Sequence, residues 1–260
     1  MIARVSGVPI VITPSWLVIA VVLTLLFAQT IQNVAPHLGS QTYLISFAFV
    51  VLLLLSVLAH EAAHAIVARA RGHRVTELAL TLWGGHTTYV GTSAKALDGL
   101  LISVVGPITN LILAVGLWFA YRASSATIPE LLLYAAASAN AFVGVFNLLP
   151  GLPLDGGAIL ESIVWAITGS RARGTAVAGW VGRVVAVGLL VWAVGWPFVQ
   201  GYRPDVTTVL WSGFIAFFLW SGASQAIAVG RARAAVASLS VRSLTAPAVP
   251  VWTGASVTHC

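Results

Sequence analysis

Charged residues are scarce in this chain. Asp, Glu, Lys and Arg make up 8% of its 260 residues, whereas a soluble domain carries about 25%. Hydrophobic residues make up 59%, which excludes an ordinary water-soluble domain and predicts an integral membrane protein. Cysteine is almost absent as well. The one cysteine, Cys260, is the last residue, so the sequence excludes a disulfide framework and a cysteine metal cluster.

Six apolar stretches are long enough to cross a membrane as helices, because a hydrocarbon core of about 30 Å needs about 20 residues. The sequence therefore predicts a mainly α, polytopic membrane protein with about six transmembrane helices. An internal repeat is not evident, which argues against an inverted-repeat transporter. The six stretches are roughly residues 15–33, 44–70, 98–121, 130–149, 175–197 and 207–229.

Two segments have a different character. "VTELALTLWGGHTTYVG", residues 75–91, is rich in Thr, Leu, Val and aromatic residues and partly alternates. It predicts one or two short strands around its paired glycines, too short and too polar to span. "ARVSGVPIVITPS", near the N-terminus, predicts another short extended segment that ends at Pro14, with Ser15 as a candidate cap for the first helix.

The basic residues predict the orientation in the membrane. With a cytoplasmic N-terminus, ten Lys and Arg residues fall inside, two fall outside, and Arg183 lies within the fifth span. This asymmetry predicts that both termini are cytoplasmic, in the cell membrane. The net charge of +6 does not form a basic face, so a nucleic-acid partner is not expected. The inside residues are Arg4, Arg69, Arg71, Arg74, Lys95, Arg171, Arg173, Arg231, Arg233 and Arg242; the outside ones are Arg122 and Arg203.

The second apolar stretch contains His60-Glu61-Ala62-Ala63-His64. Residues four apart lie on one face of a helix with Cβ atoms about 5–6 Å apart. Two imidazoles can therefore reach one metal ion, with Glu61 beside the open coordination position. The alternative is a helix-packing network, in which the histidines bond to neighbouring backbone or hydroxyl groups.

A catalytic zinc needs a third protein ligand and an open position for water. Asp155 is one candidate, because the prolines and glycines of "NLLPGLPLDGG", 147–157, predict an irregular loop that holds this carboxylate in a cavity. His86 in the strand segment is the rival ligand. Asp155 would otherwise cap the helix that begins at Gly156.

Two further charges fall inside the membrane, Glu161 and Arg183. Such charges are costly in hydrocarbon and usually pair with each other. We expect the two to form an ion pair between the helix that follows Gly157 and the fifth span.

The motifs resemble those of the site-2 protease family of intramembrane zinc metalloproteases. Three of them stand in the family's order: "HEAAH" (60–64), "GPITN" (106–110) and "NLLPGLPLDGG" (147–157). The resemblance covers roughly residues 1–230.

This resemblance implies one zinc ion per chain, held by His60, His64 and Asp155, with Glu61 as the general base. It also implies that Asn147 lies in the active site and helps to bind or polarise the scissile peptide. The short strands around 75–91 are similar to the family's small membrane-associated β-sheet, whose edge receives an unwound substrate.

The short connection between the third and fourth spans indicates which subgroup of the site-2 protease family the chain resembles. Only "YRASSATIP" (121–129) separates the third and fourth spans, so the PDZ domain of many bacterial relatives is not expected there. The pattern resembles the group with C-terminal cytoplasmic CBS domains. We expect a transmembrane metalloprotease domain over residues 1–230 and a cytoplasmic tail over 231–260 that begins a truncated CBS domain.

Two residues depart from the family's pattern. Ala158 stands where a basic residue usually follows Asp-Gly-Gly, and His86 replaces the small apolar residue that often follows the paired glycines. The second departure leaves open whether the strand is a plain substrate edge or whether His86 reaches the metal before substrate arrives.

The expected function is hydrolysis of a peptide bond within or near the transmembrane segment of a single-span membrane protein, in regulated intramembrane proteolysis. An anti-sigma factor is one candidate substrate, and membrane lipid is the other expected partner. The alternatives are a metal-binding transporter or sensor and an inactive pseudoprotease. A transporter needs ligands along a path through the membrane, whereas one cluster is evident, and Glu61 is surplus to a three-ligand binding site. The sequence does not predict the oligomeric state.

Overall fold

The helices of this protein are formed by its long apolar segments, and short connections separate them. The computed structural model describes residues 3–5, 8–81, 84–90 and 95–238. The helices are α1 (Pro14–Val34), α2 (Gln41–Ala70), α3 (Ala96–Ala123), α4 (Thr127–Asn147), α5 (Asp155–Thr168), α6 (Arg171–Leu190), α7 (Trp196–Val199) and α8 (Val206–Ser238). A 3₁₀ turn, Pro36–Leu38, follows α1, and a π turn, Val191–Gly195, joins α6 to α7.

Six helical segments are long and apolar enough to cross a membrane, so the prediction of a mainly α, six-span, multi-pass membrane protein is confirmed. Large apolar side chains such as Leu44, Phe119 and Ile167 point outward, as expected for a surface in contact with lipid. The six segments are Pro14–Asn33, Gln41–Ala70, Ala96–Ala123, Thr127–Asn147, Arg171–Val199 and Val206–Ala237.

Small residues hold neighbouring helices together. Ala178 and Ala186 of α6 and Ala223 of α8 are fully or almost fully buried. A Cβ at Gly179 would lie 2.8 Å from Ile227 Cγ1 of α8, so the glycine permits close approach of the two backbones. Close packing of small residues is the usual basis of helix association in lipid.

A four-stranded sheet connects the ends of α1, α2 and α3. Its strands are β1 (Ala3–Val5), β2 (Val8–Ile12), β3 (Arg74–Thr81) and β4 (Gly84–Val90), in that order across the sheet. β1 and β4 run antiparallel to their neighbours, whereas β2 and β3 are parallel. The predicted small sheet is therefore present, with β4 at one edge. Leu82 and Trp83 of the predicted strand segment lie outside the described residues.

The sheet packs against the end of α2 that follows the histidines. Val75 and Leu78 of β3 form a buried cluster with Ala65 and Ala68 of α2 and Ile102 of α3. β4 lies in register with β3, with Ala79 opposite His86. The sheet is thereby held beside the segment of α2 that contains Glu61.

The prediction that Ser15 caps α1 is wrong. Thr13 occupies the N-cap position, and its side chain forms no capping hydrogen bond. The Thr13 hydroxyl instead donates to the Leu80 carbonyl of β3, at 3.1 Å. The strand therefore satisfies this hydroxyl, and Ser15 already lies in the first turn, beyond Pro14.

The predicted ion pair between Glu161 and Arg183 is also wrong. Glu161 pairs with Arg171, whose Nε lies 2.8 Å from Oε1, and with Arg233 of α8 at 3.5 Å. Arg183 is 12 residues further along α6 than Arg171, which corresponds to a rise of about 18 Å. Arg183 donates instead to the Ser224 hydroxyl, and its guanidinium carbon lies 4.8 Å from the ring centroids of two tryptophans, Trp180 and Trp220.

The expected cytoplasmic tail, residues 231–260, is described only in its first part. Its first eight residues, 231–238, belong to α8. Residues 239–260, which include the segment similar to a CBS motif, lie outside the described residues.

Candidate metal centre

The two histidines of the HEAAH motif lie one helical turn apart on the buried face of α2. Both side chains are buried, and their Nε2 atoms lie 3.0 Å from each other. The spacing of four residues produces this convergence, as the sequence predicts.

Asp155 approaches the same point from the first position of α5. Its Oδ2 atom lies 3.0 Å from His60 Nε2 and 3.4 Å from His64 Nε2. Within the described part of the chain, these three residues form the group of His, Cys, Asp and Glu side chains able to share one ion, with ligand atoms within 4.8 Å of one another.

The segment 148–154 between α4 and α5 brings Asp155 to this position. It is anchored on α6, because the Leu152 amide donates to the Ala178 carbonyl at 3.1 Å. Gly151 touches Gly182 so closely that a Cβ on Gly151 would lie 2.5 Å from the Gly182 Cα atom. The two glycines therefore allow the segment to lie directly on the α6 backbone.

The second nitrogen of each imidazole faces a hydrogen-bond acceptor. His64 Nδ1 lies 2.6 Å from the Ile102 carbonyl oxygen, and His60 Nδ1 contacts the Asn110 side-chain oxygen. A carbonyl oxygen can only accept, so His64 Nδ1 carries the proton and donates. Each Nε2 atom is thereby left with a lone pair directed toward Asp155, which is the orientation that metal-binding histidines adopt.

The donor set fits a zinc ion. Two imidazole nitrogens and a carboxylate oxygen meet at 3.0–3.4 Å, an arrangement that one cation between them would satisfy. Metal–ligand distances of about 2.0–2.2 Å in a tetrahedron place the ligand atoms about 3.3–3.6 Å apart, close to the distances observed here.

Gly106 leaves room for such an ion. A Cβ on this residue would lie 2.4 Å from His64 Nε2 and 2.6 Å from His60 Nε2. The missing methyl group thus corresponds to a space at nearly metal–nitrogen distance from both imidazoles. This glycine begins the "GPITN" motif, although its role was not predicted from the sequence.

Glu61 is buried beside the three ligands, with 6% of its surface exposed. The Thr87 hydroxyl of β4 lies 2.7 Å from Glu61 Oε2 and 3.0 Å from the Glu61 carbonyl oxygen. A Cβ on Gly85 would lie 2.5 Å from Glu61 Cγ. β4 therefore fixes the glutamate side chain through one hydroxyl and one glycine, and sequence reasoning missed the role of Thr87 because threonine is common in strands.

Two cavities open at this centre. One, of about 360 Å³, is lined by Asn147, His60, Glu61 and Asp155. Asn147 lies at the end of α4 and donates to the Val143 carbonyl at 3.1 Å. Asn147 therefore lines the same cavity as the glutamate and the aspartate.

The second cavity, of about 250 Å³, lies on the strand side and is lined by His86, Tyr89, Glu61, His64 and Asp155. His86 is exposed and, within the part of the chain that the structure describes, it is not among the three converging ligands. Partial burial raises the pKa of Tyr89 above its ordinary value, so its phenol stays protonated at neutral pH.

Of the six candidate membrane spans in the described residues, one carries the His-Glu-x-x-His motif and meets a distant carboxylate, and this combination defines a polytopic membrane protein with the ligand set of a zinc peptidase. The family model described as Peptidase family M50 matches residues 48–127 and 120–191. These ranges cover more than half of the chain, and the chain belongs to this family.

Individual relatives agree with this assignment. The chain is 29% identical over 94% of its length to sll0528 of Synechocystis, an inferred zinc metalloprotease, and 35% identical over 67% of its length to Rip3 of Mycobacterium tuberculosis, another inferred zinc metalloprotease. It spans 64% and 44% of these two relatives. The solved site-2 protease from Methanocaldococcus jannaschii has the same fold, with a TM-score of 0.59 and 24% identity over 87% of this chain and 94% of that one.

Proposed function

We propose that this protein is an intramembrane zinc metalloprotease that hydrolyses a peptide bond within or near the transmembrane segment of a single-span membrane protein. The convergence of His60, His64 and Asp155 beside the buried carboxylate of Glu61 carries the proposal. The names of the relatives, all zinc metalloproteases, support the same activity.

His60, His64 and Asp155 would hold the zinc ion, since they supply three ligands and leave one position open. When bound, zinc supplies a water of lowered pKa and polarises the carbonyl of the substrate. Glu61 would act as the general base, taking up a proton at its carboxylate and delivering it to the leaving amine. The Thr87 hydroxyl keeps the Glu61 carboxylate in place for both transfers.

Asn147 is the candidate to orient the scissile peptide. Its amide lies in the cavity shared by Glu61 and Asp155 and can donate a hydrogen bond to a carbonyl oxygen bound there. A donor aimed at developing negative charge stabilises the transition state. The back-bond from Asn147 to Val143 is an intrahelical contact that a substrate carbonyl can replace.

The substrate must unwind before cleavage, because a helix hides its carbonyls in hydrogen bonds to residues four positions on. Among the described strands, β4 pairs with β3 alone, so its other edge is available to an extended segment. Addition of a strand at such an edge replaces the lost backbone hydrogen bonds. The contact between β4 and Glu61 then brings the added segment to the cavity.

The distribution of basic residues supports a cell-membrane location with cytoplasmic termini. This orientation places the metal centre near the cytoplasmic side. The resemblance to site-2 proteases favours single-span regulators, such as anti-sigma factors, as substrates.

The experiment that tests the proposal is the zinc content per chain after purification in detergent without chelators. We expect about one zinc per chain in the wild type, in Glu61→Gln and in His86→Ala, and loss of zinc in Asp155→Ala. Zinc retained in Asp155→Ala but lost in His86→Ala would move the third ligand to β4. A wild type that binds no zinc would contradict the proposal.

Cleavage is then tested on a single-span substrate identified by its accumulation in cells that express the Glu61→Gln variant. We expect the wild type to cleave it and Glu61→Gln, with its zinc retained, to have no activity. Undiminished cleavage by Glu61→Gln would rule out the assignment of the general base.

A further inference from the structure

A line of buried polar side chains leads from His60 away from the cavities. It passes through Asn110 of α3 and Asn140 of α4 and ends at Ser56 of α2. The two asparagines are each 1% exposed. Two buried amides between transmembrane helices are costly unless every hydrogen bond is made.

The direction of each hydrogen bond is determined from the far end of this line. Ser56 donates its hydroxyl proton to the Leu52 carbonyl at 2.9 Å, so its oxygen accepts from Asn140 Nδ2 at 2.9 Å. Asn140 Nδ2 also donates to the Ala136 carbonyl at 2.9 Å. A backbone carbonyl can only accept, and the amide orientation of Asn140 is thereby fixed.

The same logic continues toward the metal centre. The Asn140 side-chain oxygen accepts from Asn110 Nδ2 at 2.9 Å. The Asn110 oxygen is therefore the atom that faces His60 Nδ1. An oxygen acceptor at this position requires the His60 proton on Nδ1 and leaves Nε2 with its lone pair.

We propose that Asn110 and Asn140 are positioning residues that hold His60 in the tautomer able to bind a metal through Nε2. The inference rests on the proposed function, because it concerns a ligand of the proposed zinc site. A flipped Asn110 amide would present a donor to Nδ1 and move the His60 proton to Nε2. That proton would then point at His64 and Asp155, where the ion has to bind.

His64 serves as an internal reference. Its Nδ1 proton is held directly by the Ile102 carbonyl at 2.6 Å, a backbone group that cannot flip. The line of side chains therefore controls one of the two imidazoles. Loss of Asn140 should change the tautomer of His60 and leave that of His64 unchanged.

The experiment measures the tautomers by NMR of the zinc-free protein labelled with ¹⁵N-histidine, with the His60 signals assigned through His60→Gln. In the wild type we expect both His60 and His64 to carry the proton on Nδ1. In Asn140→Leu we expect His60 to populate a form that carries no proton on Nδ1, while Nδ1 of His64 stays protonated. An unchanged His60 tautomer would overturn the inference, whether or not the wild type binds zinc.

Zinc affinity, measured by competition with a chromophoric chelator, provides the second readout. Loss of an outer-shell partner typically weakens metal binding about 10–100-fold, and we expect this loss in Asn140→Leu and Asn110→Leu. Asn110→Asp retains an oxygen acceptor for His60 Nδ1 and should restore most of the affinity. Equal losses in Asn110→Asp and Asn110→Leu would mean that zinc binding does not depend on the oxygen acceptor at position 110, and would overturn the inference.

Discussion

At the scale of single residues, the candidate metal centre depends on a glycine, which leaves space for an ion, as much as on the three ligand side chains. Gly106 faces both Nε2 atoms from α3, and a methyl group there would occupy the space between them. Glycine is usually examined for backbone flexibility. Here its backbone lies within a regular helix, so the need is for space alone.

We expect Gly106→Ala to weaken zinc binding by at least about 100-fold, because a Cβ at 2.4–2.6 Å from both nitrogens excludes the ion. The measurement is zinc affinity by chelator competition. Gly116→Ala is the matched control, since a Cβ at this position of α3 meets nothing within 4 Å. Equal affinity in Gly106→Ala and the wild type would mean that the ion binds elsewhere.

A second residue-scale prediction concerns Thr87. Loss of a hydrogen bond to a charged group costs about 1.5–3 kcal/mol, so Thr87→Val should lower kcat about 10–100-fold through misplacement of Glu61, with zinc content unchanged. Thr88→Val, the adjacent threonine on the other face of β4, should retain full activity. A loss of zinc in Thr87→Val would show that the threonine supports the ligands instead of the base.

The sequence predicts some of these residues better than others. His60, Glu61 and His64 form a local pattern whose geometry is fixed by the helix, so their convergence is predictable from spacing alone. Asp155 is separated from His60 by 95 residues, and only its loop of prolines and glycines indicates a special role. Thr87 and Asn140 carry no local signal, because their partners are set by tertiary packing.

At the scale of secondary-structure elements, the segment 148–154 determines where Asp155 lies. This segment has no regular structure of its own and depends on α6 for support, through the hydrogen bond from Leu152 to Ala178 and the contact between Gly151 and Gly182. Helix α6, which supplies none of the three converging side chains, therefore helps to place Asp155.

Gly182→Ala tests this dependence. A Cβ there would lie 2.2 Å from the Leu152 carbonyl oxygen, and such overpacking typically costs about 1–3 kcal/mol. We expect a lower thermal midpoint and weaker zinc binding. Gly188→Ala, also in α6, meets nothing within 4 Å and should leave both quantities unchanged. Unchanged values in Gly182→Ala would mean that the segment can shift without moving Asp155.

Element boundaries and pairings show where sequence reasoning fails. The six spans are confirmed because hydrophobic length alone determines them. The pairing of Glu161 with Arg183 failed because charge type does not report depth along a helix, and Arg171 lies three turns nearer. Likewise, the sequence predicts Ser15 as the cap of α1, but Thr13 occupies that position and its hydroxyl donates to the Leu80 carbonyl of β3. This pairing depends on tertiary packing, which the local sequence does not reveal.

At the scale of the whole molecule, the distribution of basic residues predicts the orientation in the membrane. The one cysteine, Cys260, makes the orientation measurable. In intact cells we expect Cys260 to be protected from a membrane-impermeant maleimide, and to react after permeabilisation, because the positive-inside pattern predicts a cytoplasmic C-terminus.

The reciprocal variant places the label on the other side. Gln200→Cys, made together with Cys260→Ser, lies between α7 and α8 and should react in intact cells. The reverse pattern for the two variants would contradict the positive-inside assignment and would place the metal centre near the opposite face of the membrane.

The distance along the chain between the ligands has a consequence for the life of the protein in a cell. A zinc ion bound by the proposed ligands of α2 and α5 would join two segments 95 residues apart. At a free concentration 100 times its Kd it would stabilise the folded chain by about 2.7 kcal/mol. Molecules without the bound ion unfold more often, and the unfolded chains are degraded by quality-control proteases. A shortage of zinc would therefore reduce the abundance of this protein as well as its activity, so that its own turnover would report the metal supply of the cell.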